Sequence, residues 1–140
     1  MAVTIAGRDF RIDQIVCRNP VSNSPYGYYI CHDDADVHCI SMSKSMFCSG
    51  VLQFELVYRR SAEYRNLWME QKVYCRGRCV HVSQTAITLL PISEDVVATE
   101  VVSNAVLFDK TSNDPVTIEI KIRHQDSVVC KVRFFLLDDS

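Results

Sequence analysis

The residues best suited to chemistry in this sequence lie in one segment, VYCRGRCVHV, residues 73–82. It contains Cys75, Cys79 and His81, and Arg76 and Arg78 lie between the two cysteines. Thiolate and imidazole groups are common zinc ligands, and neighbouring positive charges favour the reactive thiolate form of cysteine. The segment therefore offers two kinds of chemistry, a zinc site or a nucleophilic cysteine.

The spacing within this segment matches neither chemistry closely. Two cysteines separated by three residues depart from the C-x2-C pattern of zinc knuckles. On a strand, Cys79 and His81 would run parallel, whereas a nucleophile and its base must converge. If Val80 and Val82 face the core, Cys79 and His81 lie on the opposite face of the strand and point away from the core. We expect the cysteines to pack as small apolar side chains, and we keep a zinc site at Cys75, Cys79 and His81 as a second alternative.

The rest of the chain contains none of the motifs that mark common enzymes. The nucleophile-elbow, zinc-protease, phosphate-loop and dinucleotide-binding patterns do not occur in the sequence. The segment FCSG, residues 47–50, places a cysteine before a glycine turn without a known pattern around it. We therefore expect a protein that is not an enzyme and that uses no cofactor.

A second candidate site is the basic segment 59–78, in which cations are interleaved with aromatic residues. Its cations outnumber its two acids and are Arg59, Arg60, Arg65, Lys72, Arg76 and Arg78. The interleaved aromatic residues are Tyr58, Tyr64, Trp68 and Tyr74. Arginine neutralises phosphates and aromatic rings stack on unpaired bases, so this mixture suits RNA or another single strand. The outer face of the last two strands would add Lys121, Arg123, Lys131 and Arg133.

The composition limits these alternatives. The chain has 140 residues, of which 48% are hydrophobic and 23% charged, and its formal net charge is −2. These values are typical of one globular domain, residues 1–140, and argue against a surface that binds nucleic acid everywhere. The seven cysteines are an odd number, and no stretch resembles a signal peptide or a transmembrane segment. We expect free thiols in a reducing compartment, the cytoplasm or the nucleus.

Short strands separated by turns dominate the pattern of the whole chain. In GVLQFELVYRR, residues 50–60, the inward positions of a strand would be Leu52, Phe54, Leu56 and Tyr58. The segment 73–82 is typical of strand, turn and strand, with Gly77 at the turn. This spacing predicts a mostly β chain, a compact antiparallel β-sandwich or barrel with one or two short helices.

Two hairpins are predicted from alternation. The last one joins residues 116–123 to residues 128–134. A three-residue loop would pair Ile122 with Val128 and set Glu119 opposite Lys131, because only an odd loop keeps both apolar faces on one side. The segments YGYYICH and VHCISMS, residues 26–32 and 37–43, predict the other hairpin.

One helix is predicted over residues 61–72. Ser61 can cap its first turn, where Glu63 is favourable, and an apolar stripe follows at helical spacing. Residues 93–108 allow either helix or strand, and their β-branched content favours strand in the second half.

Apolar residues at outward strand positions suggest an interaction surface, and they are Val57, Val129 and Phe135. We therefore expect a non-catalytic structural or protein-interaction module that associates with itself or docks another protein. A virus-encoded structural or accessory protein would fit such a chain. The alternative is a nucleic-acid-binding protein that uses the basic segment 59–78.

Overall fold

The fold consists of nine strands in two packed sheets, seen in a computed structural model that describes residues 10–31, 37–47 and 49–138. The strands are β1 (Phe10–Arg18), β2 (Pro25–Ile30), β3 (Val37–Ser43), β4 (Val51–Ser61), β5 (Leu67–Cys75), β6 (Arg78–Ile87), β7 (Val97–Leu107), β8 (Val116–His124) and β9 (Ser127–Leu137). The helical content of the described residues is one 3₁₀ turn, Lys44–Met46. The expected mostly β fold with two packed sheets is confirmed, and the sheets do not close into a barrel.

The strand order places the two longest unpaired edges on one side of the molecule. One sheet has the order β2-β1-β4-β7 and the other has the order β3-β9-β8-β5-β6. All neighbours are antiparallel except β3 and β9, which are parallel. The edge strands β6 and β7 both line one cleft between the sheets.

The core lies between the two sheets and follows the alternation of the strands. The inward positions predicted in β4 are buried as expected, namely Leu52, Phe54, Leu56 and Tyr58. The rings of Phe54 in β4 and Phe134 in β9 meet across the core with centroids 5.7 Å apart. Burial of such rings together with the aliphatic side chains around them stabilises the sandwich.

The turn in the segment 73–82 forms as predicted. Strands β5 and β6 are joined by Arg76 and Gly77, whose φ angles are 55° and 75°. Two consecutive positive φ angles are typical of the tight hairpin turns whose twist matches that of the strands.

The predicted helix over residues 61–72 is wrong. Ser61 is the last residue of β4, and β5 begins at Leu67. From Leu67 to Val73 every second residue is buried, and β5 pairs with β6 on one side and β8 on the other. Pairing with two distant strands outweighs the local helical pattern, because helix propensity is a weak preference.

The last hairpin forms, but its predicted register is wrong. Ile122 pairs with Cys130 rather than Val128, and Glu119 faces Arg133. The turn contains two residues, 125 and 126, and a β-bulge follows at Val129. The bulge adds one residue to β9 and so keeps the apolar faces of both strands on the core.

The predicted hairpin between residues 26–32 and 37–43 is also wrong. Strand β2 pairs with β1, whereas β3 pairs with β9 in the other sheet. A chain that changes sheets between two strands leaves no local signal that distinguishes it from a hairpin. The expectation of strand in the second half of 93–108 is confirmed by β7.

Candidate functional site

The residues of the candidate zinc site are spread over two faces of one sheet. A β-bulge in β6 sets Cys79 opposite Tyr74 and His81 opposite Val73. Tyr74 belongs to the outer face and the buried Val73 to the inner face, so Cys79 and His81 diverge. Cys75 lies at the end of β5, opposite Arg78. The described residues contain no group of three or more His, Cys, Asp or Glu side chains that could hold a metal ion.

The valines of this segment lie outside the core. Val80 and Val82 would be buried if their face of the strand met the core, but both are exposed. Val82 lies opposite Lys72 on the outer face, and the bulge displaces Val80 from the pairing. Both valines are accessible because β6 is an edge strand with no second layer covering it.

The basic segment 59–78 does not form one surface. Arg59 donates two hydrogen bonds to Asp13 on the outer face of the four-stranded sheet. Arg65 lies in the β4–β5 loop, and Lys72 lies on the outer face of the other sheet. Arg76 is bound to Asp114 at 2.6 Å at the β5–β6 turn. The exposed Arg78 begins β6.

Arg60 is not available to a phosphate because it is buried inside the sandwich, with 1% of its surface exposed. Its guanidinium donates to both carboxylate oxygens of Glu100 and to the backbone carbonyls of Tyr64 and Leu90. The hydrogen bond from Arg60 lowers the pKa of Glu100. Arg60 therefore has a structural role.

The three residues of the expected interaction surface also lie apart. Val57 is half-buried on the outer face of the four-stranded sheet, opposite Val101. Val129 is the bulged residue of β9 and packs against the core. Phe135 is half-buried on the outer face of the five-stranded sheet. No single partner surface contains all three.

A more continuous surface is the side of the sandwich where β6 and β7 lie, which we call the open side. Strands β6 and β7 have 10 and 11 residues, whereas the other two edge strands, β2 and β3, have 6 and 7. Neither β6 nor β7 contains lysine or proline. Exposed large apolar residues on these strands and their connection are Val80, Val82, Leu90, Val96, Val101 and Leu107.

A cleft of about 490 Å³ separates β6 from β7 on the open side. Its lining mixes apolar residues such as Val80 and Leu107 with polar ones, and the polar ones include His81, Ser83, Asn104 and the side chain of Gln71. Ser83 Oγ donates to Gln71 Oε1 at 3.1 Å, which leaves Gln71 Nε2 buried without a hydrogen-bond partner in the described part of the chain. An unsatisfied buried donor costs about 1–3 kcal/mol, so an acceptor that enters the cleft would be stabilised there.

The outer face of the five-stranded sheet forms a second surface, which we call the cationic face. Pairing across β5, β8 and β9 places its residues in four rows, Trp68–Arg123–Val128, Glu70–Lys121–Lys131, Lys72–Glu119–Arg133 and Tyr74–Thr117–Phe135. Five cations and two carboxylates therefore occupy the face, and aromatic rings lie at both ends.

The carboxylates of the cationic face, Glu70 and Glu119, are buried beneath its cations. Burial alone would raise the pKa of each carboxyl. The hydrogen bonds that Gln84 donates to Glu70 and Arg133 donates to Glu119 lower the pKa, and so do the surrounding cations. The pKa of both carboxyls is consequently lowered. Both remain charged at neutral pH and hold the cations in place.

At one end of the cationic face, the row Tyr74–Thr117–Phe135 forms a depression of about 570 Å³, which we call the slot. The small Thr117 lies between the two aromatic residues, and Arg76 and Arg133 also line the slot. Side chains stand roughly perpendicular to a sheet, so the two rings form walls with a low floor between them. Asp114 lines the rim, where it is bound by Arg76.

Sequence reasoning identifies most residues of the cationic face but not their arrangement. Alternation assigns the cations of β8 and β9 to an outer face, and the basic segment includes Lys72, Trp68 and Tyr74. Tyr74 and Phe135 lie far apart in the chain, and only the pairing of both strands with β8 brings them to either side of Thr117.

No protein-family model and no curated protein matches this chain. The described residues contain no helix with the length and hydropathy needed to cross a membrane.

Proposed function

We propose that this protein is a non-catalytic interaction module that associates with itself through the open side. The observation that carries the proposal is the pair of long edge strands, β6 and β7, on the same side of the sandwich. An edge strand presents unpaired N–H and C=O groups, and monomeric proteins protect such edges with lysine, proline, short length or a β-bulge. The bulge of β6 lies near its start, at Val80, and leaves residues 81–87 in regular register with β5. Strands β6 and β7 lack lysine and proline and are the longest edges of the described fold.

The charges and apolar residues of the open side support this proposal. The acid of β7, Glu100, is bound to Arg60 inside the sandwich, so it does not protect the edge. Val82 and Val101 expose 52% and 58% of their surface on the two strands. Pairing these strands with those of a second copy would remove apolar surface from water. It would also give hydrogen-bond partners to the unpaired backbone N–H and C=O groups of the edges.

The cleft between the strands contains a buried hydrogen-bond donor without an acceptor among the described residues. Gln71 Nε2 needs an acceptor, and a backbone carbonyl of an incoming strand is the acceptor that strand addition supplies. The open side therefore presents three features to the same partner: unpaired strand edges, exposed apolar side chains and the unsatisfied donor Gln71 Nε2. A second copy is the preferred partner because closed homo-oligomers are the commonest assemblies of soluble proteins.

The test is the molar mass in solution of charge-introducing variants, measured by light scattering across a concentration series under reducing conditions. Val82→Lys and Val101→Lys place a lysine on each edge, and each should weaken self-association about tenfold or more, which corresponds to about 1.4 kcal/mol. Ile30→Lys is the matched control, because Ile30 is 57% exposed on the shorter edge strand β2. It should leave association unchanged.

Three results would overturn the proposal. One is a wild-type protein that stays monomeric at the highest concentration. Another is association that survives both edge variants. The third is association that Ile30→Lys and Val101→Lys disrupt but Val82→Lys does not, since this pattern would assign the interface to the outer face of the four-stranded sheet.

The remaining expectations stay predictions. The reducing compartment and the viral origin of such a module follow only from composition and from the lack of catalytic motifs. Nucleic-acid binding by the whole basic segment 59–78 is not proposed, because Arg60 is buried and Arg59 and Lys72 lie on opposite faces.

A further inference from the structure

The cationic face contains a pair of like charges that destabilises the folded protein when no anion is bound. Lys121 and Lys131 lie directly opposite each other on β8 and β9. Lys121 is 3.5 Å from a carboxylate oxygen of Glu119, whereas Lys131 forms no ion pair with any described residue. Like charges directly opposite on neighbouring strands are destabilising. An anion above this pair would relieve the repulsion.

The balance of charge on the face points to a polyanion. Five cations stand against two carboxylates, although the whole chain has a net charge of −2. Glu70 and Glu119 are each bound by cations and are buried, so the exposed groups of the face are mainly positive. A local positive surface on an acidic chain attracts polyanions to one place.

The slot selects among polyanions. Neighbouring strands are about 4.8 Å apart, so Tyr74 and Phe135 are separated by roughly twice that distance across Thr117. Stacked bases are spaced at about 3.4 Å, and two such spacings fit between the two aromatic walls. A planar base can therefore enter, with Arg133 and Arg76 beside it to bind phosphate.

The opposite end of the face offers a second stacking platform. Trp68 exposes 45% of its surface and lies next to Arg123. Trp68 and Tyr74 are six positions apart along β5, which corresponds to about 20 Å at about 3.3 Å per residue. The cations lie between these two ends, where the backbone of a short strand would pass.

We propose that the cationic face binds single-stranded nucleic acid, with one unpaired base in the slot between Tyr74 and Phe135 and the phosphates over Lys121, Lys131 and Arg133. This proposal does not rest on self-association through the open side, because the four rows of the cationic face belong to β5, β8 and β9, whereas the edges of the open side are β6 and β7. The two surfaces meet where Val82 of β6 lies beside Lys72. Duplexes are excluded from the slot, since their bases are stacked and paired.

The test is fluorescence anisotropy with a labelled 12-nucleotide oligouridylate or oligothymidylate, titrated at two salt concentrations. Lys131→Glu should weaken binding about tenfold or more and reduce the salt dependence, by about 0.7 in the log–log slope for each phosphate that the protein no longer neutralises. The same variant should keep or raise the melting temperature, because it replaces a like-charge pair with an opposite-charge pair. Weaker binding therefore cannot be attributed to unfolding.

Two further variants separate the slot from charge alone. Tyr74→Leu should weaken binding of the oligonucleotide about tenfold but leave the binding of heparin, a polyanion without bases, unchanged. Arg65→Glu is the control for charge reversal, because Arg65 is an exposed arginine of the β4–β5 loop outside the face. It should bind like the wild type.

The proposal is overturned if no oligonucleotide binds at low salt, or if Lys131→Glu binds as tightly as the wild type. It is also overturned if Tyr74→Leu folds and binds normally, since the face would then act by charge alone. Binding of polyglutamate in preference to the oligonucleotide would overturn it as well and would assign the face to an acidic protein.

Discussion

Arg60 and Glu100 form a two-point ion pair inside the sandwich, with Arg60 Nη2 2.9 Å from Glu100 Oε2 and a second bond from Arg60 Nε to Oε1. The pair joins β4 to β7 near the open side. The guanidinium also donates to the carbonyls of Tyr64 and Leu90, so it fixes the two loops that flank this end of the core.

Glu100→Gln should destabilise the fold by about 2–4 kcal/mol, because it leaves a buried guanidinium without a counter-charge. Urea denaturation followed by tryptophan fluorescence measures this change. Glu55→Gln is the matched control, since Glu55 binds Arg18 nearer the surface, and it should cost about 1 kcal/mol or less. Equal losses in the two variants would show that Arg60 and Glu100 contribute no more than a surface pair.

The stability of the protein should fall at acid pH. The pKa values of Glu70, Glu100 and Glu119 are lowered in the folded protein relative to the ordinary value of 4.5. A lowered folded-state pKa means that the unfolded chain binds more protons, so these carboxyls contribute their full stability above about pH 4.5. The contribution is lost as the pH falls through the folded-state values.

Urea midpoints measured between pH 7 and pH 3 test this dependence. Glu119→Gln should show a shallower decline than the wild type, because one of the three contributing carboxyls no longer titrates. An unchanged midpoint from pH 7 to pH 3 in the wild type would contradict the account.

The cysteines should differ widely in reactivity. Burial raises the pKa of Cys17 to about 12, whereas Cys79 is exposed on the edge strand β6. Only the thiolate reacts with iodoacetamide, so at pH 8 we expect rapid alkylation of Cys79 and very slow alkylation of Cys17. Peptide mass spectrometry of a time course measures both rates, and full reaction in urea is the control. Comparable rates in the native protein would mean that Cys17 is not in the core.

Gly77→Ala should cost about 1–2 kcal/mol, because the φ of 75° at Gly77 is unfavourable for a residue with a side chain. An added Cβ at Gly77 would meet nothing within 4 Å, so the cost comes from the local backbone conformation and not from contact with other residues. Gly77→Asn should cost less, since asparagine tolerates this conformation. Melting temperatures rank the two variants, and equal effects would argue against the observed turn.

The parts of the fold that follow from local alternation could be predicted from the sequence. Strand β4 and the turn at Gly77 are examples, because each is determined by residues close in the chain. The segment 61–72 could not be assigned correctly, since Leu67 and Gln71 satisfy both a helical stripe and a strand face. Only pairing with β6 and β8 decides between them.

The functional surfaces depend even more on distant pairing. One additional residue at Val129 changes the register of β8 and β9 and sets Lys131 opposite Lys121. The sequence alone therefore identifies the cations of that face but pairs them incorrectly. The edges β6 and β7 could not be recognised, because the order of strands in the sheets is not encoded locally.

The most direct test of the central claim, self-association through the open side, is amide hydrogen exchange of the wild-type protein at low and high protein concentration. We predict that exchange in β6, residues 78–87, and β7, residues 97–107, slows as the concentration rises, because these edges become paired. Exchange in the shorter edge strand β2 should not change. Exchange in β6 and β7 that is independent of concentration, while the molar mass increases, would contradict the account and place the interface elsewhere.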